Sequence, residues 1–235
     1  MNLLAIETSS DQMGVAVVDG SRVLASYELL ADRPHAVELP QAVTRVLKAS
    51  GLRLDQVDGL AVDIGPGSFT GLRIGVAFVK ALVFQVRKPV AAVASLDVLA
   101  ANVQYCPHLV CPLLDAKQRK VYAALYRPAD GGLSKQSDYL LLPVDELMPM
   151  LQGPVLFLGD AAALYRQRLT ERFGEQARFA PPELGWPRAA SVGRLGLERL
   201  ARGLTEDPRT LVPMYLYARD SSVRTPAVPL APAPR

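Results

Sequence analysis

The chain has 235 residues, half of them hydrophobic, with a net charge of +3 at pH 7 and a sequence pI of about 8.9. This composition is enough for one large or two small compact domains, and Lys and Arg are too evenly spread to indicate a nucleic-acid-binding face. The first residues lack the basic segment and cleavage site of a signal peptide, and no uninterrupted apolar run reaches the roughly 18 residues that span a bilayer. We therefore expect a cytoplasmic protein that does not enter a membrane.

The first half of the chain alternates strand and helix patterns. Turn residues separate three short apolar runs at the start, which predicts an antiparallel meander. Pro34 is typical of the first turn of a helix, which Gly51 ends. We predict strands over residues 3–7, 14–18, 23–29, 59–64 and 90–94, and helices over residues 35–50 and 70–85 and from residue 95 onward.

The second half repeats this order of elements. We predict strands over residues 109–115, 121–126 and 155–158, and helices over residues 144–151, 161–173 and 189–202. Strands that alternate with crossover helices favour mixed sheets covered by helices. We therefore predict an α/β fold of two related lobes, residues 1–104 and 105–220, followed by a proline-rich flexible tail, residues 221–235.

A glycine-rich run, GPGSFTGLRIG from Gly65 to Gly75, follows a buried strand and opens a helix. Backbone N–H groups at a helix N-terminus can face an anion, but the spacing matches neither the P-loop nor the dinucleotide motif. A tight turn that packs a helix closely explains the glycines equally well. The residues we predict to face a nucleotide, if one binds, are Glu7, Thr8, Ser9, Gly65, Gly67, Ser68, Thr70 and Asp115.

The helix after the glycines is apolar on nearly every side, so it should be buried all round. Its own lobe can cover one face, and the other face is left for the second lobe or for another chain. A central helix sandwiched within one chain is the alternative, but we favour a subunit interface to which the preceding helix contributes. The predicted interface residues are His35, Leu39, Val43, Gly71, Arg73, Gly75, Val79 and Lys80.

Three motifs together resemble the TsaB (YeaZ) family. They are LAIETSSDQMGVAVVDG, GPGSFTGLRIGVAFVKAL and DAKQRKVYAALY, which occur in this order between Leu3 and Tyr126. The resemblance implies two lobes of the actin, sugar-kinase and heat-shock ATPase fold. It also implies a role beside the catalytic subunit TsaD and the small ATPase TsaE, which transfer a threonylcarbamoyl group to N6 of adenosine 37 in tRNAs that read codons starting with A.

The same resemblance implies that this chain is a scaffold without catalytic residues. The catalytic sister family carries a His-x-x-x-His pair that holds a metal, and Ser95 and Leu99 stand at the matching positions. His35 and His108 are the only histidines, and Cys106 and Cys111 match no familiar ligand spacing, so we expect no metal site.

Several partners and alternatives accompany this prediction. We expect a TsaD-like subunit and a TsaE-like ATPase as partners, a homodimer when the chain is free, and at most indirect contact with tRNA. We expect no cofactor, with nucleotide binding only in the assembled complex. The alternative is an autonomous ATPase or small-molecule kinase, in which Glu7, Asp63 and Asp115 would organise Mg²⁺.

Overall fold

A computed structural model describes residues 1–20, 22–30 and 35–216. The predicted first-turn residue Pro34 and the predicted flexible tail, residues 221–235, lie outside these ranges.

The first sheet has five strands in the order β3-β2-β1-β4-β5. The strands β1, β2 and β3 form the predicted antiparallel meander, whereas β1, β4 and β5 run parallel to one another. The carboxyl ends of these three parallel strands therefore meet at one edge of the sheet. The strands are β1 (Asn2–Glu7), β2 (Gln12–Asp19), β3 (Arg22–Leu30), β4 (Gly59–Asp63) and β5 (Val90–Val93).

Helices cover both faces of this sheet. Because side chains alternate along a strand, Leu4 and Ile6 of β1 face one way and Leu3 and Ala5 the other. The first pair packs with α1 (His35–Ser50) and α2 (Phe69–Val86). The second pair packs with α7 (Ala189–Ala201), a helix from the C-terminal part of the chain.

The second sheet has the order β10-β7-β6-β11-β12, with β8 pairing with both β6 and β9. Its strands β6, β11 and β12 are parallel, and the other pairs are antiparallel, which confirms the predicted fold class of mixed sheets flanked by helices. The strands are β6 (Leu109–Asp115), β7 (Lys120–Ala123), β8 (Tyr126–Ala129), β9 (Gly132–Lys135), β10 (Leu140–Pro143), β11 (Val155–Leu158) and β12 (Ala177–Phe179). The helices between β5 and α7 are α3 (Ser95–Ala101), α4 (Val144–Leu147), α5 (Asp160–Leu164) and α6 (Arg166–Phe173).

Three predicted elements of the second half differ from the structure. The predicted strand 121–126 is interrupted at residues 124 and 125, so that β7 and β8 are separate strands. The predicted helix 144–151 is α-helical only over α4 and continues as a 3-10 turn, Met148–Met150. This turn contains a proline, which cannot donate a helical hydrogen bond. The predicted helix 161–173 divides at Tyr165 into α5 and α6.

Helix α7 corrects the predicted lobe boundary. Its residues fall in the predicted second lobe, 105–220, but it packs on the first sheet beside Leu3 and Ala5. Two glycines allow this approach, since a Cβ at Gly193 would lie 2.8 Å from Val18 and one at Gly196 would lie 2.6 Å from Ala61. The first sheet therefore takes one of its two covering layers from the C-terminal part of the chain.

Helix α2 is not buried all round, contrary to the prediction. Leu72, Val76 and Val79 are buried, but Phe69 is 53% exposed and Phe84 is 78% exposed. By length and composition alone α2 could cross a bilayer, although no apolar run was expected to do so. In the structure its inner side chains instead belong to the core of the first sheet.

Candidate functional site

Two buried carboxylates lie at the shared edge of the first sheet. Glu7 ends β1 and Asp63 ends β4, and both side chains are fully buried. Glu7 Oε1 accepts the backbone N–H of Ser9 at 2.6 Å and a short hydrogen bond from the Ser9 hydroxyl. Asp63 Oδ1 accepts the N–H of Gly65 at 2.8 Å and the hydroxyl of Ser95 at 2.6 Å. In the described part of the chain, Glu7 Oε2 and Asp63 Oδ2 have no hydrogen-bond partner.

Burial makes both acids weak. It raises the pKa of Glu7 well above its usual value, and the nearby charge of Asp63 raises it further. Burial also raises the pKa of Asp63 to about 7, against the opposing hydrogen bonds from Ser95 and Gly65. We therefore expect the pair to hold a proton near neutral pH, a state unlike the ionised carboxylates that bind Mg²⁺.

Three glycines of the motif press against the loop that follows Glu7. A Cβ added at Gly67 would lie less than 3.0 Å from the carbonyl oxygen of Ser9. A Cβ added at Gly71 would lie less than 3.0 Å from the carbonyl oxygen of Thr8. A Cβ at Gly75 would meet the Thr8 side chain, whose Oγ1 donates to the carbonyl oxygen of Gly71 at 2.8 Å. Gly71 and Gly75 therefore serve close packing inside the chain, and their predicted place in a subunit interface is corrected.

The rest of the motif is partly exposed. Gly65 has φ = +109°, a conformation that favours glycine, and its carbonyl oxygen accepts the N–H of Ser95 at 2.9 Å. Ser68 caps α2, and its hydroxyl accepts the N–H of Gly71 at 3.3 Å. Ser68 and Thr70 are exposed, whereas Thr8 and Gly65 are buried. Of the predicted nucleotide-facing residues of this loop, Ser68 and Thr70 are thus the ones on the surface.

Asp115 belongs to the equivalent edge of the second sheet. It accepts the backbone N–H of Lys117 at 2.9 Å and the Lys117 ammonium at 2.7 Å, and its own N–H donates to Asp160 at 3.0 Å. The hydrogen bond to Asp115 raises the pKa of Lys117, and the charges of Asp160 and Asp11 add to the effect. Since Asp11 follows β1, the turns after β1 and β6 lie near each other, but the described residues show no hydrogen bond between Glu7 and Asp115.

Asp160 was missed by the sequence analysis. It follows β11, which is parallel to β6, so a strand-end position was the available signal. Burial raises the pKa of Asp160.

The predicted interface residues divide between the core and the surface. Leu39, Val43 and Val79 are buried in the first core, which corrects their predicted place at an interface. Lys80 donates to the carbonyl oxygens of Arg209 and Leu211, at 3.3 and 3.2 Å.

Arg73 is exposed, whereas His35 and Lys80 are partly buried. The guanidinium of Arg73 is exposed, lies 3.8 Å from the centre of the Phe69 ring and donates to the Tyr215 hydroxyl. His35 opens α1 and is partly exposed.

Comparison with known proteins identifies the family. A family model described as TsaD, tRNA N6-adenosine threonylcarbamoyltransferase, matches residues 28–227. The tRNA threonylcarbamoyladenosine biosynthesis protein TsaB of Bacillus subtilis is 31% identical over 227 residues, which cover 95% of this chain and 97% of that protein. The chain belongs to the TsaB family. In a solved structure, YeaZ from Pseudomonas aeruginosa is 28% identical, with a TM-score of 0.77 over 92% of this chain and 99% of that one.

A more distant likeness supports the TsaB fold assignment. A ROK hexokinase from Thermus thermophilus is 13% identical, with a TM-score of 0.51 over 85% of this chain and all of that chain. At this identity the likeness concerns the fold alone.

Ser95 and Leu99, the two positions matched to the histidine pair of the catalytic sister family, are buried in this TsaB-family chain. Leu99 is fully buried, and Ser95 donates to Asp63. Across residues 1–20, 22–30 and 35–216, no group of three or more His, Cys, Asp or Glu side chains could hold a metal ion.

Proposed function

We propose that this protein is the non-catalytic scaffold of a cytoplasmic complex that forms N6-threonylcarbamoyladenosine at position 37 of tRNAs reading codons that start with A. In this proposal it binds a TsaD-type transferase, with a TsaE-type ATPase as a further partner. It forms a homodimer when that transferase is absent. Membership of the TsaB family supports the pathway, and the match to a transferase family model supports a related partner.

The observation that carries the docking proposal is the outer face of α2, which we define as Phe69, Arg73, Ala77, Ala81 and Phe84. All five are exposed and lie along one side of an otherwise apolar helix. The small side chains of Ala77 and Ala81, four residues apart, let a second helix approach, and the two phenylalanines supply apolar area at the ends. Such an exposed stripe marks an interaction surface.

The buried carboxylates support the absence of catalysis by this chain alone. Glu7 and Asp63 are fully buried, have raised pKa values and are already hydrogen-bonded to Ser9 and Ser95. A general acid or metal ligand must reach its substrate, and these two groups do not. We further propose that any nucleotide binds in the assembled complex, at the exposed residues Ser68 and Thr70, and that tRNA is contacted at most indirectly.

The test is co-purification with the TsaD-type transferase of the same organism. Ala81→Glu and Phe84→Asp place charges on the outer face of α2 without touching the core, so we expect each to reduce recovery of the complex at least tenfold. Leu164→Asp is the matched control, because Leu164 is 63% exposed on α5, away from α2. Recovery unchanged in both α2 variants would refute the docking surface.

A reconstituted reaction tests the scaffold role itself. Transferase, ATPase, tRNA and threonylcarbamoyl adenylate are combined with or without this chain, and modified adenosine is measured. We expect no product from this chain alone and product with the transferase only when this chain is present. Turnover of ATP or of the adenylate by this chain alone would instead favour the autonomous enzyme.

A further inference from the structure

A cavity of about 300 Å³ lies where α3, α7 and the β8–β9 hairpin meet, away from the outer face of α2. Its volume suits a small molecule. Four cationic side chains and two carboxylates line it: Lys135, Arg194, Arg199 and Arg202, with Asp97 and Glu198. Positive charge is therefore in excess on its wall.

The carboxylate of Asp97 is already satisfied within the protein. Its Oδ1 accepts the Tyr126 hydroxyl at 2.6 Å and its Oδ2 accepts the Tyr139 hydroxyl at 2.5 Å. The ammonium of Lys135 lies 3.6 Å from Oδ1 and 3.9 Å from the centre of the Tyr139 ring. Both oxygens of Asp97 therefore have partners, and the Lys135 ammonium offsets its negative charge. The arginines are left to determine which charge of ligand the cavity favours.

The arginines, in contrast, are loosely held. Arg199 Nε is buried and has no hydrogen-bond partner among the described residues, while its Nη2 is 3.4 Å from Glu206 Oε1. Arg194 Nη1 is 3.3 Å from Glu198 Oε1, and the exposed side chain of Arg202 makes no hydrogen bond or ion pair within the described chain. Well-formed ion-pair hydrogen bonds are shorter, at about 2.7–2.9 Å. Buried donors without an acceptor are rare in folded proteins.

We propose that this cavity binds a small molecule through a carboxylate or phosphate group. On binding, the guanidinium of Arg199 moves from Glu206 toward the cavity and supplies Nε and Nη2 as a two-pronged donor, because paired oxygens of a carboxylate or a phosphate match that geometry. Arg202 adds a second positive charge at the rim. The apolar wall beside them, with Leu133 and Leu195, receives the body of the ligand.

Calorimetric titration at low ionic strength tests the site, with inorganic phosphate and citrate as separate probes. We expect millimolar binding of at least one probe to the full chain, weakened at least tenfold by Arg199→Gln and severalfold by Arg202→Gln. Arg178→Gln is the control, since Arg178 is exposed on β12 and does not line the cavity. Preference for phosphate indicates a phosphate ester as ligand, and preference for citrate indicates a carboxylate.

A second measurement guards against loss of fold. Because Arg202 is exposed, Arg202→Gln should stay folded even if Arg199→Gln does not. The Nε–H signal of Arg199 in a ¹⁵N-edited NMR spectrum should shift on titration of the wild-type chain. The proposal is overturned if neither probe binds, or if the Arg199 signal and the affinity of Arg202→Gln both stay unchanged. Co-purification with the transferase should be normal in both variants, which separates this site from the docking surface.

Discussion

Alanine at Gly75 should be energetically coupled to a change at Thr8, whereas alanine at Gly71 should not. A Cβ at Gly75 would overlap the Thr8 side-chain oxygen, and one at Gly71 would overlap the Thr8 backbone carbonyl. Overpacking of this kind costs about 1–3 kcal/mol, against a gain of up to about 1 kcal/mol from alanine in a helix. We therefore expect each single alanine variant to lower the free energy of unfolding by roughly 1–2 kcal/mol.

Thr8→Ala separates the two cases. Alone, it removes the buried hydrogen bond to the Gly71 carbonyl and should cost about 1–2 kcal/mol. In combination with Gly75→Ala it also removes the overlapping atom, so the pair should be more stable than the sum of the single changes by about 1–2 kcal/mol. In combination with Gly71→Ala the carbonyl remains, so those two changes should simply add.

Urea unfolding followed by circular dichroism measures all five variants, with the slope checked for constancy. Additive costs for Gly75→Ala and Thr8→Ala would contradict the packing described here. If Gly75→Ala has normal stability but no longer binds the transferase, the sequence-based prediction that Gly75 lies in a subunit interface would be supported instead.

Three further predictions concern ionisable side chains. Partial burial raises the pKa of Glu28 from 4.5 to about 6, so the folded state holds the proton longer and stability falls as pH rises through this window. Glu28 occupies an exposed position of β3, where solvent screens the effect, so Glu28→Gln should remove less than about 1 kcal/mol of that loss in unfolding measured from pH 4 to 8. Asp63, with its pKa raised from 3.8 to about 7, should impose a larger loss between about pH 4 and 7 that Asp63→Asn reduces, whereas the exposed control Asp130→Asn leaves the wild-type pH profile unchanged. Tyr139→Phe removes one of the two tyrosine hydrogen bonds to Asp97 and should lower the free energy of unfolding by about 1–3 kcal/mol. Amide exchange should become faster in α3 and β10, which this hydrogen bond joins. Unchanged exchange would contradict a link between these elements.

The first sheet was predictable because its strands are apolar runs between clear turn signals. Each strand of that sheet was found to within two residues. The second sheet was harder: β9, β10 and β12 are short, and most of their residues are only partly buried. A four-residue strand at a sheet margin has too little apolar pattern to be seen in sequence.

The candidate site was predictable only where chain order fixes position. Glu7 and Asp63 end parallel neighbouring strands, so their meeting follows from the fold. The contacts of Asp97 with Tyr126 and Tyr139 join residues 29 and 42 positions away, without any local signal. The inward face of α2 was also hidden, because a helix that is apolar on every side does not show which side packs.

The return of α7 to the first sheet has a consequence for how the protein is made. The first sheet is complete in sequence at Val93, but its second covering layer ends only at Ala201. At about 5–20 residues per second, the ribosome needs roughly 5–20 s to supply the missing helix. During that time the apolar face formed by Leu3, Ala5 and Ala61 is open to water or to a chaperone. Truncation before α7 should therefore yield an aggregating product rather than an isolated N-terminal half.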